Sequence, residues 1–492
     1  MRARWLVRCS ALLPAFALAA GPAAAQALEP LGLRQALSEA LQASPALAGA
    51  RDAVDMALIQ ERLADSRFAV KIQPTINAAT APSGLGQRVI GIDVARRLPF
   101  GSEITTSLNS TSIGTGAAAM RDTGYTIGLT QPLFRGAGAA GAELKNARRS
   151  VVGSERGMRD ARQQLIVTVA DRFFAVLKQR RLVSASERAL DRARTMSAAS
   201  EARARVGLAT QLDVLRADLL ASQAAATLAS QREALAGALE DLNLLLGRGP
   251  AQPLDVVNED VSDEGLAALG FRVPDAGADT VERLVALALE ARIDLREARD
   301  RIGDAERNLS VSRWNLLPQV SLSASYTERG LGPSSIPGLA ELLNGWRVGI
   351  ATNYALDRSE QIAAAGSAAV SLAAAERGAG DARRRVETDV RRAYRGWMRS
   401  RETIDIQRKT VELAERQVRL AQLRFERGLS TSLDVVDAED SLYQAQSALI
   451  DAELGRALAL LALERAAGTL EPERFANAGA PVPPDAGGGG AP

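Results

Sequence analysis

The sequence predicts a mainly α chain with β structure, built as two copies of one strand-and-helix unit. Three observations carry this: an internal repeat, four very long helical stretches, and alternating strands of membrane-spanning length. Shifting the sequence by 221 residues places Gly124-Tyr125-Thr126-Ile127-Gly128 on Gly345-Trp346-Arg347-Val348-Gly349. Without a gap, Gly207-Leu208 then meets Gly428-Leu429, Thr210 meets Thr431, and Leu212-Asp213-Val214 meets Leu433-Asp434-Val435. A repeat this long describes the architecture before any motif does.

The first residues read as a secretory signal: Arg2, Arg4 and Arg8, an apolar run near Ala11 to Ala20, then Ala23-Ala24-Ala25 before Gln26. Cleavage is expected between Ala25 and Gln26, with cleavage after Ala27 as the alternative. The only cysteine, Cys9, precedes the apolar run, a poor position for lipidation. The formal charge of +2 includes those three arginines, so the mature chain is near neutrality. That balance argues against a nucleic-acid partner, whose phosphates call for a basic stripe. Histidine is absent, which excludes Ser-His-Asp and Cys-His catalysis and every histidine metal site. No enzyme, catalytic residue, metal or cofactor is expected. After the signal, no apolar run approaches the ~20 residues of a transmembrane helix. Such an exported chain is either soluble or spans a membrane as strands.

The first repeat covers 26–247: a helix over 34–68, strands within 72–133, a long helix over 139–206 and a helix over 211–246. An equatorial linker rich in Pro, Gly and Asp covers 248–280. The second repeat covers 281–470: a helix over 281–315, strands over 319–327 and 345–354, a long helix over 360–427 and a helix over 432–467. The Pro- and Gly-rich tail, 471–492, is expected to be disordered. The helical stretches are rich in Ala, Leu, Arg, Glu and Gln, all good helix formers. At 1.5 Å per residue the long ones measure about 100 Å, the length of two ~35-residue helices stacked end to end. Each half thus offers one continuous rod beside one pieced rod. The two opening helices also resemble each other: Ala40-Leu41, Leu47 and Ala50-Arg51 fall on Ala288-Leu289, Leu295 and Ala298-Arg299.

In the last helix Val435, Leu442 and Leu449 recur every seven residues, as do Ala438, Ala445, Ala452 and Ala459. A second line, Val436, Tyr443, Ile450 and Ala457, lies one residue over. One seam serves a two-stranded coil; two adjoining seams imply neighbours on both sides, as in a ring of helices or an ordinary bundle. Among the strands, Val320, Leu322, Ala324 and Tyr326 alternate with Ser321, Ser323 and Ser325. Trp346, Val348 and Ile350 alternate likewise, as do Tyr125, Ile127 and Leu129, with a weaker partner near 103–113. This is the pattern of outer-membrane strands, and equally of a half-buried sheet on a soluble domain. Four such strands cannot close a barrel, since the smallest bacterial ones have eight, so a membrane reading demands several copies. A further hairpin-like stretch in 72–102, from Val89 to Leu98, has no counterpart in the second half and no assigned place.

Leu129-Thr130-Gln131-Pro132-Leu133-Phe134-Arg135-Gly136 resembles the strand-to-helix turn of the TolC family of outer-membrane efflux ducts. Ala286-Leu287-Ala288-Leu289-Glu290-Ala291-Arg292-Ile293-Asp294-Leu295 is similar to its opening-helix motif, with Ile293 where proline is usual. Val206-Gly207-Leu208-Ala209-Thr210 and Arg427-Gly428-Leu429-Ser430-Thr431 resemble its helical tips. The resemblance covers the chain to about residue 470. It implies a homotrimer whose twelve rods form an α-barrel across the periplasm, continued by a shared 12-stranded outer-membrane β-barrel with four strands per chain. Its implied partners are outer-membrane lipid, a periplasmic adaptor (membrane fusion protein) and an inner-membrane pump. The alternative reading is a periplasmic coiled-coil adaptor or tether without a pore.

The same resemblance implies the site. Asp434 and Asp437, three apart on one face, match the family aspartates that ring the closed entrance. Three chains would gather six carboxylates, a cation-selecting constriction, although acids also suit any helix start. Asp213 matches an acid that latches the inner hairpin, and Phe425 falls where a tyrosine often serves that latch. The latch arginine's place holds Ser430, so an Asp–Arg link of that kind cannot form. Arg424 and Arg427 lie nearby, with solvated surface charges as the plainer reading. Val206, Gly207, Leu208, Thr210, Gly428, Leu429 and Thr431 are the expected adaptor-docking tips, the glycines also serving as ordinary helix stops.

Overall fold

The computed structural model describes residues 30–80, 86–114, 120–135, 139–274, 278–330, 344–354 and 356–476. The signal segment, with Cys9, Ala25 and Gln26, and the end of the tail lie outside the described residues.

The opening helix expected over 34–68 is interrupted, as α1 (Leu33–Ala43) and α2 (Ala48–Ser66). Ser44 is extended and its hydroxyl accepts from the Ala46 N–H at 3.4 Å, while Pro45 opens a 3₁₀ turn, Pro45–Leu47. Proline has no N–H to give the preceding turn, so the helix stops there. The helix expected over 281–315 breaks at the matching place, giving α6 (Ala278–Ala291) and α7 (Ile293–Trp314). Here extended Arg292 reaches forward to the Asp294 carboxylate, at 3.0 and 2.7 Å, in the first turn of α7.

Helix α3 spans Ala139–Arg205 and α4 spans Gln211–Leu245. The linker carries a short α5, Asp263–Ala268, and the second repeat continues with α8 (Ser359–Glu426) and α9 (Ser432–Ala467). A final turn, α10 (Glu473–Ala476), corrects the expectation of disorder from 471. Phe475 is fully buried and meets Phe271 at 5.7 Å, which orders the chain to that point.

The helices form four rods. Helix α3 packs beside α2 and α4, α7 packs on α8, and α9 lies between α8 and α3. Gly247, just beyond α4, adopts φ +75°, and a Cβ there would stand 3.0 Å from the Ala43 carbonyl oxygen. Thus α4 abuts the α1–α2 segment, and Gly468 brings the end of α9 against Arg292 in the same way. The rod order is α2 continued by α4, then α3, then α7 continued by α9, then α8. The Val435–Leu442 seam faces α8, in one buried cluster with Val418 and Phe425. Tyr443, on the second line, meets Ser186 of α3 at 3.2 Å between hydroxyls. Both seams have neighbours.

The main core sits where the rods abut. Phe173, Phe174, Trp397, Leu33 and Leu37 are buried there, joined by Val256, Leu266 and Phe271 of the linker. Glu464 of α9 is buried in this region and accepts from the Arg272 N–H. Burial pushes its carboxyl up to about 7, against hydrogen bonding to Arg272 and the Arg474 charge. The folded pKa lies above the unfolded one, so this group costs stability as pH rises from about 4.5 to 7, by roughly 3 kcal/mol at most. Glu464→Gln is therefore expected to raise the melting temperature at pH 8 and leave it unchanged near pH 4. An equal shift at both pH values would contradict this.

The strands form one antiparallel sheet in sequence order: β1 (Lys71–Thr80), β2 (Gly86–Arg97), β3 (Glu103–Ile113), β4 (Met120–Pro132), β5 (Gln319–Gly330) and β6 (Gly345–Asn353). Among the described residues six strands, not four, are present. Pro74 argues against a strand at β1, and β2 carries Arg88, Asp93, Arg96 and Arg97, which blur its alternation. Register aligns one apolar face across all six. Ile72, Val94, Thr106, Ile127, Tyr326 and Trp346 form one continuous row through successive partners. Above it Ile76 pairs with Ile90; below it Ile104 pairs with Leu129. The opposite face carries Gln73, Asp93, Ser107, Thr126 and Thr327 in a row. Tyr125, Tyr326 and Trp346 cluster on the apolar face, with ring centroids 6.1 and 5.3 Å apart.

Candidate functional site at the helical tips

At the end remote from the sheet, α3 turns into α4 and α8 into α9 through two similar loops. Gly207 and Gly428 both adopt φ +73°, a left-handed conformation that costs other residues a clash with their Cβ. The next N–H reaches back to close each helix, Leu208 to the Arg203 carbonyl at 2.9 Å and Leu429 to that of Arg424 at 2.8 Å. This turn leaves Val206, Leu208 and Leu429 about 70% exposed, at 69, 70 and 74%. Thr210 and Thr431 are the N-caps of α4 and α9, each in a capping box with the acid three residues on.

The two boxes use their acids differently. Asp213 Oδ2 accepts from the Thr210 hydroxyl (2.6 Å) and N–H (3.0 Å), and Oδ1 accepts from the Ser432 hydroxyl at 2.8 Å. Asp213 thus joins the start of α4 to the start of α9. Hydrogen bonds from Thr210, then Ser432, lower its carboxyl pKa to about 2. A depressed folded pKa means this tie is present above the ordinary carboxylate range and is lost as pH falls from about 4 towards 2. In the copy, Asp434 Oδ2 accepts from the Thr431 N–H (3.0 Å) and hydroxyl (3.3 Å). Asp434 and Asp437 are both exposed. Asp437 lines a groove of about 290 Å³ between α3, α4 and α9, with Gln223, Thr227, Asp440 and Tyr443.

Phe425 contributes its ring and its carbonyl instead of a hydroxyl. The Arg203 guanidinium stacks 4.8 Å over that ring and donates to the carbonyls of Phe425 (2.6 Å) and Glu426 (2.9 Å). Carbonyls at a helix C-terminus lack internal donors and carry negative partial charge, so a planar cation with two parallel N–H groups suits them. Arg203 thereby binds the tip of the first hairpin to the tip of the second. Arg424 and Arg427 are exposed. Further from the tip, Arg192 of α3 donates to buried Glu439 of α9 at 2.7 Å, and Gln422 of α8 donates to the same carboxylate at 3.2 Å. One carboxylate joins three rods.

The profile of the family described as outer membrane efflux protein matches residues 36–248 and 284–469, one segment in each repeat. The chain belongs to that family. It is an outer-membrane protein with the fold of the TolC-like channels. The pyoverdine export outer membrane protein OpmQ of Pseudomonas aeruginosa is 25% identical over 344 residues, 67% of each chain. The solvent efflux pump outer membrane protein SrpC of Pseudomonas putida is 28% identical over 324 residues, and the alignment spans 64% of each chain. In fold, the outer membrane protein VceC of Vibrio cholerae superposes with a TM-score of 0.66 at 19% identity, over 89% of this chain and 96% of VceC.

Sequence reading of this efflux protein singled out Asp213, Asp434, Asp437 and Phe425, and the structure brings Asp213 and Phe425 into the contacts between hairpins. Sequence reading missed Arg203, Ser432, Arg192 and Glu439. A signal for Arg203 existed: it is the repeat partner of Arg424, one helical turn before the tip glycine. Glu439 had one too, as an acid on the buried Val435–Ala438–Leu442 side of α9.

Proposed function

We propose that three copies of this chain close edge to edge into a passive export duct that crosses the outer membrane and the periplasm. The observation that carries this reading is a matched pair of edges without a neighbour among the described residues. On one side the outermost elements are β1, α2 and α4; on the other, β6 and α8. Both helical edges bear exposed apolar lines at helical spacing: Ile59 and Leu63 on α2, Leu212, Leu215 and Leu219 on α4. On α8, Ile406, Leu413 and Leu420 recur every seven residues, each 51–56% exposed. Six strands are an even number, so β6 meets the next copy's β1 antiparallel, and no backbone edge faces lipid. Each copy uses two different surfaces, a head-to-tail contact that closes into a ring when three successive rotations complete a full turn.

In such a duct the chain performs no catalysis. Its tips close the periplasmic end, with Arg203–Phe425 and Asp213–Ser432 holding the two hairpins of each chain together. Asp434 and Asp437 supply the carboxylates of the entrance ring, and the exposed Val206, Leu208 and Leu429 supply apolar contacts for a periplasmic adaptor that couples the duct to an inner-membrane pump. The relatives' names, pyoverdine export and solvent efflux, support small molecules as cargo. In planar bilayers, Asp434→Asn with Asp437→Asn is expected to raise conductance and weaken divalent-cation block several-fold. Asparagine keeps the capping role, so the change reads charge alone. Unaltered traces would remove the entrance-ring assignment.

A further inference from the structure

The two repeats are not equal in length, and the excess lies in one place. At an offset of 248 residues, β1 beginning at Lys71 falls on β5 beginning at Gln319. At an offset of 221, β4 ending at Pro132 falls on β6 ending at Asn353. The first repeat therefore holds 27 extra residues between its outer strands, one fewer than the β2–β3 hairpin from Gly86 to Ile113. In the second repeat the equivalent strands, β5 and β6, pair directly. In the first, β1 and β4 are held apart by the two additional strands.

This hairpin is built as membrane structure. It pairs on both sides: ten residue pairs join β1 to β2 and eleven join β3 to β4. Its outward residues Ile90, Ile92, Val94, Ile104 and Leu108 continue the apolar face of the other four strands. Its inward residues Asp93, Ser107 and Asn109 continue the polar face. The β2–β3 turn is seated at the junction with the rods. A Cβ on Gly141 of α3 would stand 2.8 Å from the Pro99 carbonyl, and the Ser102 hydroxyl bonds to Gln131 of β4.

We propose that β2–β3 is a membrane-embedded insertion that widens the outer-membrane barrel from four to six strands per chain, eighteen in the trimer. The trimer count rests on the duct reading above; the insertion does not. With strands about 4.8 Å apart and tilted about 40°, twelve close a barrel about 24 Å across and eighteen one about 36 Å across. Twelve rods about 9 Å apart form a ring about 35 Å across. The wider barrel continues the tube at nearly constant bore, so the outer exit does not narrow and bulkier cargo passes it.

Engineered cysteines test the strand order in the full chain, whose only native cysteine is in the signal segment. Gln73 faces Asp93 in this sheet. Were β1 to pair with β4 as β5 pairs with β6, Gln73 would face Thr130, because Ser321 faces Ala351. Gln73→Cys with Asp93→Cys is expected to form an intrachain disulfide on oxidation in the outer membrane, and Gln73→Cys with Thr130→Cys is not. The reverse result overturns the insertion. Polymer exclusion from the outer side of planar bilayers tests the bore. Deleting residues 86–112 is expected to cut the excluded radius by about one third, and an unchanged radius overturns the widening. A Gln73–Asp93 link in an assembly that is not a trimer would support the insertion and overturn the duct count.

Discussion

Replacing Leu413 and Leu420 together with aspartate is expected to abolish assembly. Both residues lie on α8, the outermost helix of one edge, about half exposed in the single chain and on a line of heptad spacing. In a closed trimer the line recurs at three interfaces, so six leucines lose burial worth about 2 kcal/mol each, an upper figure for area bookkeeping. Six carboxylates would also be placed against the apolar α4 edge, which adds a desolvation cost. Gel filtration with light scattering in detergent should show a shift from trimer to monomer, with helical circular dichroism retained. Leu413→Met, which conserves volume and apolarity, should stay trimeric. A double variant that remains fully assembled would show that this edge is not an interface.

The second large effect is expected at Arg203. Its guanidinium supplies two charge-assisted hydrogen bonds to the end of α8 and covers the Phe425 ring. Bonds of this kind contribute about 1.5–3 kcal/mol when buried and less at a half-exposed site. Arg203→Ala should therefore weaken closure by about 2–3 kcal/mol per chain, which is roughly 30- to 150-fold in the ratio of open to closed tips. Planar-bilayer recordings should show that rise in open probability, and Arg203→Lys, with a charge but no planar fork, should fall between. A closed, quiet channel in Arg203→Ala would mean that the two hairpins are held elsewhere, with the Glu439 network the next place to look.

The helical half of this architecture was legible because it is written in periods. Heptad spacing along α9 and the 221-residue repeat required no tertiary information, and the tip turns announce themselves through Gly207 and Gly428. The breaks at Ser44 and Arg292 were hidden because the apolar pattern runs through them. The sheet was half legible. β4, β5 and β6 alternate cleanly, whereas β1 carries Pro74 and β2 carries four charged residues, so membrane strands appear only once register shows which side each residue takes. At the tips, acids could be read from the repeat, but their partners could not. Arg203 acts on the carbonyls of a helix 222 residues away, and no local pattern encodes that meeting.

Native mass spectrometry of the detergent-extracted protein tests most directly whether copies of this chain complete one another. Three chains per particle are predicted, released to monomers only on denaturation. A single chain that remains in solution once detergent is removed would contradict the shared duct.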